Sequence, residues 1–304
     1  MVSLVANVNG QQHTSYTQYN LNKYSLNPAL AGVQPCGDFV MGNRTQWVGF
    51  EGAPRTYFAS FNTRVDKEDK YPKNYHGYGV NMIGEQFGFS THFNLKLGYA
   101  YNIKLSRNYR ASVGVFLGIQ QLTQSFSQLR VANKNIDPAF NSDEQSSFIF
   151  PEISPGGFLY NKNFYVGLSM FQIYPEIVRT FGTNEHRLSA HYYLITGYRL
   201  RGRQWHYIPS ILFNFSPFVS STADFTLTFD YKQQFSFGLG SKYLNSGYAL
   251  IQFQIQRSIS IGYSYEYALN EIINVAPTTH EFVLRIKNCT IEKKLEKFFC
   301  PAYQ

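Results

Sequence analysis

The sequence predicts an all-β protein, a transmembrane antiparallel β-barrel of about fourteen strands with both termini in the periplasm. Three observations predict this fold: long segments of alternating apolar and polar residues, many aromatic but few charged residues, and connections that are alternately long and short. A tilted strand needs about 9–11 residues to cross a bilayer, and the alternating segments are long enough to do so.

Composition narrows the class of protein. Aromatic residues make up 17% of the 304 residues and charged residues 15%, against roughly 25% charged in an average soluble domain. No window of about 20 residues is continuously apolar, which excludes an ordinary transmembrane helix. The net charge of +8 is spread mostly singly along the chain, whereas nucleic-acid binders cluster basic residues on one face. This composition suits a transmembrane barrel or a soluble β-sandwich and does not suit a helical enzyme or a nucleic-acid binder.

Alternation is clearest in "THFNLKLGYAYNIKL", where every second residue from Phe93 to Leu105 is apolar and the others are mostly polar or small. Successive side chains of a strand point to opposite faces, so one face is apolar throughout. Fourteen segments can be read as strands, at residues 38–50, 54–65, 76–87, 91–105, 109–124, 146–160, 163–173, 187–201, 205–215, 221–232, 234–242, 246–256, 258–268 and 279–288.

The second face of these segments decides between a barrel and a sandwich. It carries mainly Gly, Ser, Thr, Asn and Gln with isolated charges, which is typical of a barrel lumen, while aromatics near strand ends are typical of an interfacial girdle. The alternative is a large soluble β-protein, whose second face would carry many charges. The long predicted connections at 125–145, 174–186 and 269–278 follow odd-numbered strands, as outer loops do when both termini are periplasmic. The charged "DKEDKYPKNY" after the second strand is an exception to this asymmetry.

No motif predicts catalysis or cofactor binding. GxSxG, HExxH and the phosphate-binding loop are all missing from the sequence. His280 and Glu281 are adjacent, so at strand spacing they point to opposite faces and make a poor dyad. Four glutamates could in principle pair in the lumen, although solvated or hydrogen-bonded wall groups are the simpler interpretation: Glu51, Glu85, Glu152 and Glu266. We therefore predict no enzyme, no catalytic or metal-binding residue and no cofactor.

The chain divides into four predicted parts. Residues 1–10 look like the remnant of an export signal, residues 38–288 form the barrel, and residues 289–304 form a basic periplasmic tail. Residues 11–37 are polar and do not alternate. A fourteen-stranded barrel is too wide for its own side chains to fill easily, so either residues 11–37 or the long loop at 125–145 is predicted to block it. Residues 11–37 are the favoured plug, and the alternative is that they hang into the periplasm.

The three cysteines and the tail give weaker indications. Cys289 and Cys300 lie eleven residues apart and could form a disulfide in an oxidising compartment, with Cys36 left over; alternatively all three are incidental thiols. The tail could also form a short amphipathic helix that contacts a partner or the membrane surface, with one apolar side formed by Ile291, Leu295, Phe298 and Phe299.

Both ends of the predicted barrel resemble the PorP/SprF family of outer-membrane proteins of the type IX secretion system in Bacteroidetes. The resemblance near the start rests on Gln18, Tyr19, Asn27, Pro28, Ala29, Ala31, Gly32, Arg44, Gln46, Trp47, Gly49, Phe50, Gly52, Ala53, Pro54 and Thr56. The closing strand resembles the family through His280, Glu281, Leu284 and Ile286. The chain departs from the family at Thr17, where the family often has Ser, and in its Lys-rich tail.

The resemblance implies a non-catalytic barrel that supports protein secretion and gliding motility. Its implied partners are outer-membrane lipids, the periplasmic ring lipoprotein complex, the translocon, and the C-terminal domain of a secreted cargo or surface adhesin. Two other classes stay open: an outer-membrane channel or transporter of small hydrophobic molecules, and an outer-membrane hydrolase.

Alternation suggests a role for part of the motif. Arg44 and Gln46 share one face of the first predicted strand, so both could point into the lumen and clamp the N-terminal segment, with Trp47 facing lipid. The alternative is purely structural: the prolines fix φ, Gly32 and Gly52 permit turns, and Trp47 is an interfacial anchor.

Overall fold

Fourteen strands of the computed structural model form one antiparallel sheet. The structure describes residues 16–65, 74–125, 145–173, 177–179, 185–187, 190–217, 219–243, 245–256, 258–289, 300 and 302. The strands are β1 Gly37–Thr45, β2 Arg55–Val65, β3 Asn74–Phe87, β4 Ser90–Lys104, β5 Arg110–Ser125, β6 Gln145–Tyr160, β7 Phe164–Phe171, β8 His191–Tyr198 continued by Leu200–Arg201, β9 Trp205–Ser216, β10 Val219–Tyr231, β11 Phe235–Lys242, β12 Ser246–Gln256, β13 Ile259–Ala268 and β14 Thr278–Asn288. A separate short hairpin, Ile177–Arg179 with Glu185–Arg187, lies in the connection between β7 and β8.

The sheet closes on itself. Each strand pairs with the next along the chain, and β14 pairs with β1 from Gly37 opposite Asn288 to Thr45 opposite His280. The predicted fold class is therefore confirmed as a closed, fourteen-stranded, antiparallel barrel. The predicted first strand was too long, because β1 ends at Thr45 instead of residue 50. No helix in the described part of the chain is long and apolar enough to span a membrane.

The two faces of the wall differ as the alternation predicts. On β4, Lys96 and Asn102 point inward and are buried, whereas Leu97 and Tyr99 point outward and are exposed. The other strands repeat the pattern, with exposed Tyr, Phe, Leu and Ile side chains outside and mostly small or polar side chains inside. Such an apolar exterior is the arrangement of a barrel whose outer wall meets lipid.

The two ends of the barrel differ in their connections. We call the end where β1 begins and β14 finishes the termini end, and the opposite end the loop end. The long connections, residues 126–144, 172–190 and 269–277, all leave the loop end, whereas turns at the termini end are mostly short. The connection at residues 66–73 is the long exception at the termini end, as the sequence predicted.

The predicted Cys289–Cys300 disulfide is wrong. Cys36 is bonded to Cys289 with their Cα atoms 4.5 Å apart, and Cys300 is a buried free thiol. The strand register explains this pairing. Gly37 is paired with Asn288, so Cys36, just before β1, lies beside Cys289, just after β14. In the tail, Cys300 and Ala302 are buried, while the predicted helix around residues 291–299 lies outside the described residues.

Candidate functional site

Residues 16–36 lie inside the barrel, and we call them the lumen segment. Almost all of them are buried. Two short 3-10 helices, Lys23–Leu26 and Pro28–Leu30, fold the segment compactly. The Asn27 side chain caps the second helix by accepting a hydrogen bond from the Ala29 N–H, and Pro28 stands at its first position, where no N–H is needed. The segment is thus a folded insert with its own local structure.

Asn27 also fixes the segment to the wall. Its Nδ2 donates hydrogen bonds to the carbonyl of Gly157 on β6 at 3.1 Å and to the carbonyl of Leu168 on β7 at 3.0 Å. All three polar functions of this buried amide are therefore engaged at once. An apolar replacement would leave two wall carbonyls without this side-chain donor in a buried place, which is costly.

Further hydrogen bonds reach the wall on every side of the segment. Tyr19 Oη lies 3.0 Å from the hydroxyls of Ser210 on β9 and Thr226 on β10. Other strands contribute the pairs Ser60–Asn22, Asn81–Ser25, Asn102–Ala31, Ser169–Leu26 and Gln252–Gln18. Side chains of the inner polar face therefore bond to this segment from seven different strands.

Inward-facing glycines make room for the segment. A Cβ added to Gly114 on β5 would lie 2.7 Å from the Ala29 nitrogen, and one added to Gly156 on β6 would overlap Asn27 Oδ1. A Cβ on Gly77 would overlap the Ala31 carbonyl. Real Cβ atoms essentially never come this close. The wall and the segment are therefore matched in shape, with backbone packed against backbone.

A buried ion network holds the start of the segment. Arg44 Nη2 lies 2.9 Å from Glu266 Oε2 on β13, and Arg44 Nη1 lies 3.3 Å from Glu281 Oε2 on β14. Lys242 Nζ on β11 is 2.9 Å from the same Glu266 oxygen. Glu281 in turn accepts hydrogen bonds from the backbone nitrogens of Thr17 and Gln18, at 2.8 and 3.0 Å. Two cations balance two carboxylates here, and Arg44 also donates to the Thr17 hydroxyl at 2.5 Å.

The rest of the first motif is arranged differently from the prediction. Gln46 and Trp47 follow the end of β1, and Trp47 has a φ of +50°, so the predicted alternation does not reach them. Their backbone nitrogens donate to the Pro54 carbonyl and the Thr279 hydroxyl respectively. Both side chains border a cavity at the loop end, so the prediction that Trp47 continues the lipid-facing side of the strand is wrong.

Other motif residues make local contacts in the turns and strands. Gly52 has a φ of +75° and its carbonyl accepts a hydrogen bond from the Gly88 nitrogen at 2.8 Å. Gly32, with a φ of +69°, turns the end of the lumen segment towards β1, and Thr56 donates to Glu85. His280 points outward to Tyr263 while Glu281 points inward, which confirms that the two residues do not form a dyad.

The lumen segment borders a cavity at each end of the barrel. The loop-end cavity, about 150 Å³, is lined by Tyr16, Arg44, Trp47, Asp224 and Glu266 among others. The termini-end cavity, about 220 Å³, is lined by residues that include Asn20, Lys23, Asp230, Arg285 and Lys287. No cluster of three or more metal-ligating side chains occurs among the residues the structure places.

Lys23 was not singled out by the sequence. Its Nζ donates to the carbonyl of Ala302 at 2.6 Å and to that of Asn20 at 3.3 Å, and lies 5.2 Å from the centre of the Tyr165 ring. Burial lowers the pKa of Lys23 to about 7 and raises the pKa of the nearby Cys300 thiol to about 12. A lone Lys in a non-alternating segment gives no sequence signal for such a position.

An apolar outer wall, a closed barrel and a packed polar lumen define this chain as an outer-membrane β-barrel protein. Two solved structures of similar fold are toluene transporters, TbuX of Ralstonia pickettii and TodX of Pseudomonas putida, both with a TM-score of 0.51. TbuX is 11% identical, with 87% of this chain and 92% of TbuX covered; TodX is 10% identical, with 92% and 96% covered. At such low identity the likeness concerns the fold alone.

The family model described as "Type IX secretion system membrane protein PorP/SprF" matches residues 8–286. The chain therefore belongs to the PorP/SprF family, which confirms the resemblance found in the motifs. Curated protein sequences yield no match to the chain. Family and fold together place the protein in the outer membrane and in type IX secretion.

Proposed function

We propose that the protein is a non-enzymatic, plugged barrel that supports type IX secretion and gliding by binding other proteins. The C-terminal domain of a secreted cargo or surface adhesin, the translocon and the periplasmic ring lipoprotein complex are the proposed partners, with both termini in the periplasm. The observation that carries this proposal is the lumen segment, which is hydrogen-bonded to the wall on every side and clamped by Arg44.

The lumen segment favours a binding component over an open channel. A channel must keep a passage free, whereas here backbone packs against glycines of the wall and a balanced ion network is buried between segment and strands. Displacing the segment would leave charged and polar wall groups without these partners, which carries a large free-energy cost. The surfaces left for function are therefore the loops and the rims of the barrel.

A second candidate function is transport of a small hydrophobic molecule. The cavities at the two ends of the lumen segment offer space that such a molecule could enter before the segment moves, although charged side chains line both of them. The two proteins of similar fold are toluene transporters by name. This candidate requires the lumen segment to leave its place during transport.

Conductance and complex composition separate the two candidates. We expect the intact protein to give no steady pore in planar bilayers, and a variant lacking residues 16–36 to conduct if it folds. We also expect the intact protein to co-purify with type IX components from native membranes, identified by mass spectrometry. A steady open pore from the intact protein, or toluene uptake into vesicles that contain it, would overturn the plugged-scaffold proposal in favour of the transporter.

A further inference from the structure

The turns at the termini end carry an unusual set of charges. Four described turns contain one basic residue each and no acidic residue, with the basic side chain exposed in every case: Arg107 between β4 and β5, Lys162 between β6 and β7, Arg203 between β8 and β9, and Lys232 between β10 and β11. We call these four residues the basic rim. The connections described at the loop end carry both signs of charge, with Glu51, Glu185 and Glu271 as well as Arg179 and Arg187.

The basic rim is placed at a fixed depth. Its turns are only three to five residues long, so the cations lie close to the strand ends. Neighbouring turns are joined, since Arg201 donates from Nη2 to the Lys162 carbonyl at 2.9 Å and the Lys232 nitrogen donates to the Gln204 carbonyl at 3.2 Å. The turns that carry Lys162, Arg203 and Lys232 are therefore joined along one edge of the barrel.

Outward-facing aromatic rings stand next to these cations. Trp205 and Tyr231, on adjacent strands, have ring centres 4.9 Å apart, and Lys232 Nζ lies 5.2 Å from the centre of the Tyr231 ring. Tyr198 and Tyr207 on the same side of the barrel are exposed. Amphipathic rings of this kind mark the level of the lipid headgroups. Cations just beyond them stand where lipid phosphates lie.

From this arrangement we propose that the basic rim binds the headgroups of anionic phospholipids in the leaflet at the termini end. Each basic side chain held near an anionic surface favours contact by on the order of fivefold. An acidic protein is a poorer fit, because turns this short do not rise beyond the headgroups to meet one. The inference rests on the outer-membrane location and is independent of the proposed protein partners.

The two tryptophans of the chain provide a direct test. Trp205 lies beside the rim and Trp47 lies at the loop end, so a Trp47→Phe variant leaves a single reporter next to Arg203 and Lys232. The full-length variant is reconstituted in vesicles of phosphatidylcholine mixed with phosphatidylglycerol, with one of the two lipids brominated in turn. Quenching of Trp205 by each brominated lipid gives the relative affinity of the rim for the two headgroups.

We expect phosphatidylglycerol to be preferred several-fold at Trp205, and the preference to fall as salt rises. Adding Arg203→Gln and Lys232→Asn should reduce the preference to about onefold; Asn suits the φ of +50° at position 232. The matched control adds Arg55→Gln, an exposed arginine at the loop end, and should keep the preference. Folding of each variant is checked by heat-modifiable migration in gels.

Two results would overturn the proposal. One is equal quenching of Trp205 by the two lipids in the Trp47→Phe protein with an intact rim. The other is a preference for phosphatidylglycerol that stays unchanged when Arg203→Gln and Lys232→Asn are added. If the lipid preference is missing and the rim variant instead dissociates from its native membrane complex, the rim belongs to an acidic protein surface. A Trp205→Phe variant, which reports from Trp47, should show no lipid preference that depends on Arg203 and Lys232. This comparison separates a local headgroup site from a general effect of net charge.

Discussion

Arg44 and Glu281 are partners in two ways: their Cα atoms are paired across the β1–β14 seam, and Arg44 Nη1 lies 3.3 Å from Glu281 Oε2. The seam that closes the barrel is thus also the place where the lumen segment is clamped. Because Glu281 also accepts the Thr17 and Gln18 nitrogens, closure of the barrel and docking of the segment share one carboxylate.

Replacing Arg44 by Ala should therefore destabilise the protein strongly. The change leaves Glu281 without its cation and Glu266 with Lys242 alone, and breaking a buried pair in this way costs roughly 3–5 kcal/mol. Unfolding by urea in detergent measures the loss. The control Arg55→Ala removes an exposed arginine from the neighbouring strand and should cost less than about 1 kcal/mol. Equal losses in the two variants would contradict the clamp.

Adjacent glycines on β6 test the fit of the lumen segment. Gly156→Val should displace the segment, because even a Cβ there overlaps Asn27 Oδ1 and lies 2.9 Å from Pro28 Cδ. Gly157→Val should be tolerated, because a Cβ at that position meets nothing within 4 Å. Conductance in planar bilayers is the measurement, with openings expected for the first variant only. Closed behaviour in both variants would show that the segment accommodates the change.

The disulfide should add to the stability of the seam. It joins residues 253 positions apart, and removing a native disulfide typically costs 2–5 kcal/mol. We expect the Cys36→Ser, Cys289→Ser double variant to unfold at lower urea concentration than the unchanged protein. Adding a reductant should bring the unchanged protein to the same midpoint and leave the double variant where it is. Peptide mapping without reduction that links Cys300 to either cysteine would refute the assignment.

Lys23 should make stability depend on pH. Its pKa falls from 10.5 to about 7 in the barrel, so above pH 7 the unfolded chain binds the proton that the folded protein has lost. The contribution of Lys23 to the free energy of unfolding therefore rises with pH between about 7 and 10.5. Below pH 7 this contribution stays at its lowest value. The measurement is urea unfolding of the unchanged protein and of the Lys23→Met variant at pH 7 and at about pH 9. We expect the rise in stability to be present in the unchanged protein and to be missing in the variant. Parallel profiles for the two proteins would contradict the assignment.

The sequence predicted the barrel wall well because the alternation of a strand depends only on residues that are neighbours in the chain. The alternation of apolar and polar residues can be seen directly in the sequence. All fourteen strands, and the inward direction of Arg44, were therefore predicted from it. The overrun of the first strand has the same origin, since Gln46 and Trp47 continue the pattern by chance while the backbone turns at Trp47.

Contacts between strands distant in sequence could not be predicted in this way. Glu266 and Glu281 were both noticed, but only the barrel register brings them together on Arg44. The cysteine error has the same cause, because nearness along the chain favoured Cys300 whereas strand pairing brings Cys36 beside Cys289. The basic rim was hidden too, since its residues are spread singly along the chain and are gathered at one end only by folding.

The bond between Cys36 and Cys289 has a topological consequence. Together with the backbone it turns residues 36–289 into a covalent ring that contains every strand of the barrel. A protease that cuts one loop of the folded protein would therefore release nothing. The product would have two new ends at the cut, while the disulfide would keep the two halves of the barrel and the lumen segment in one molecule.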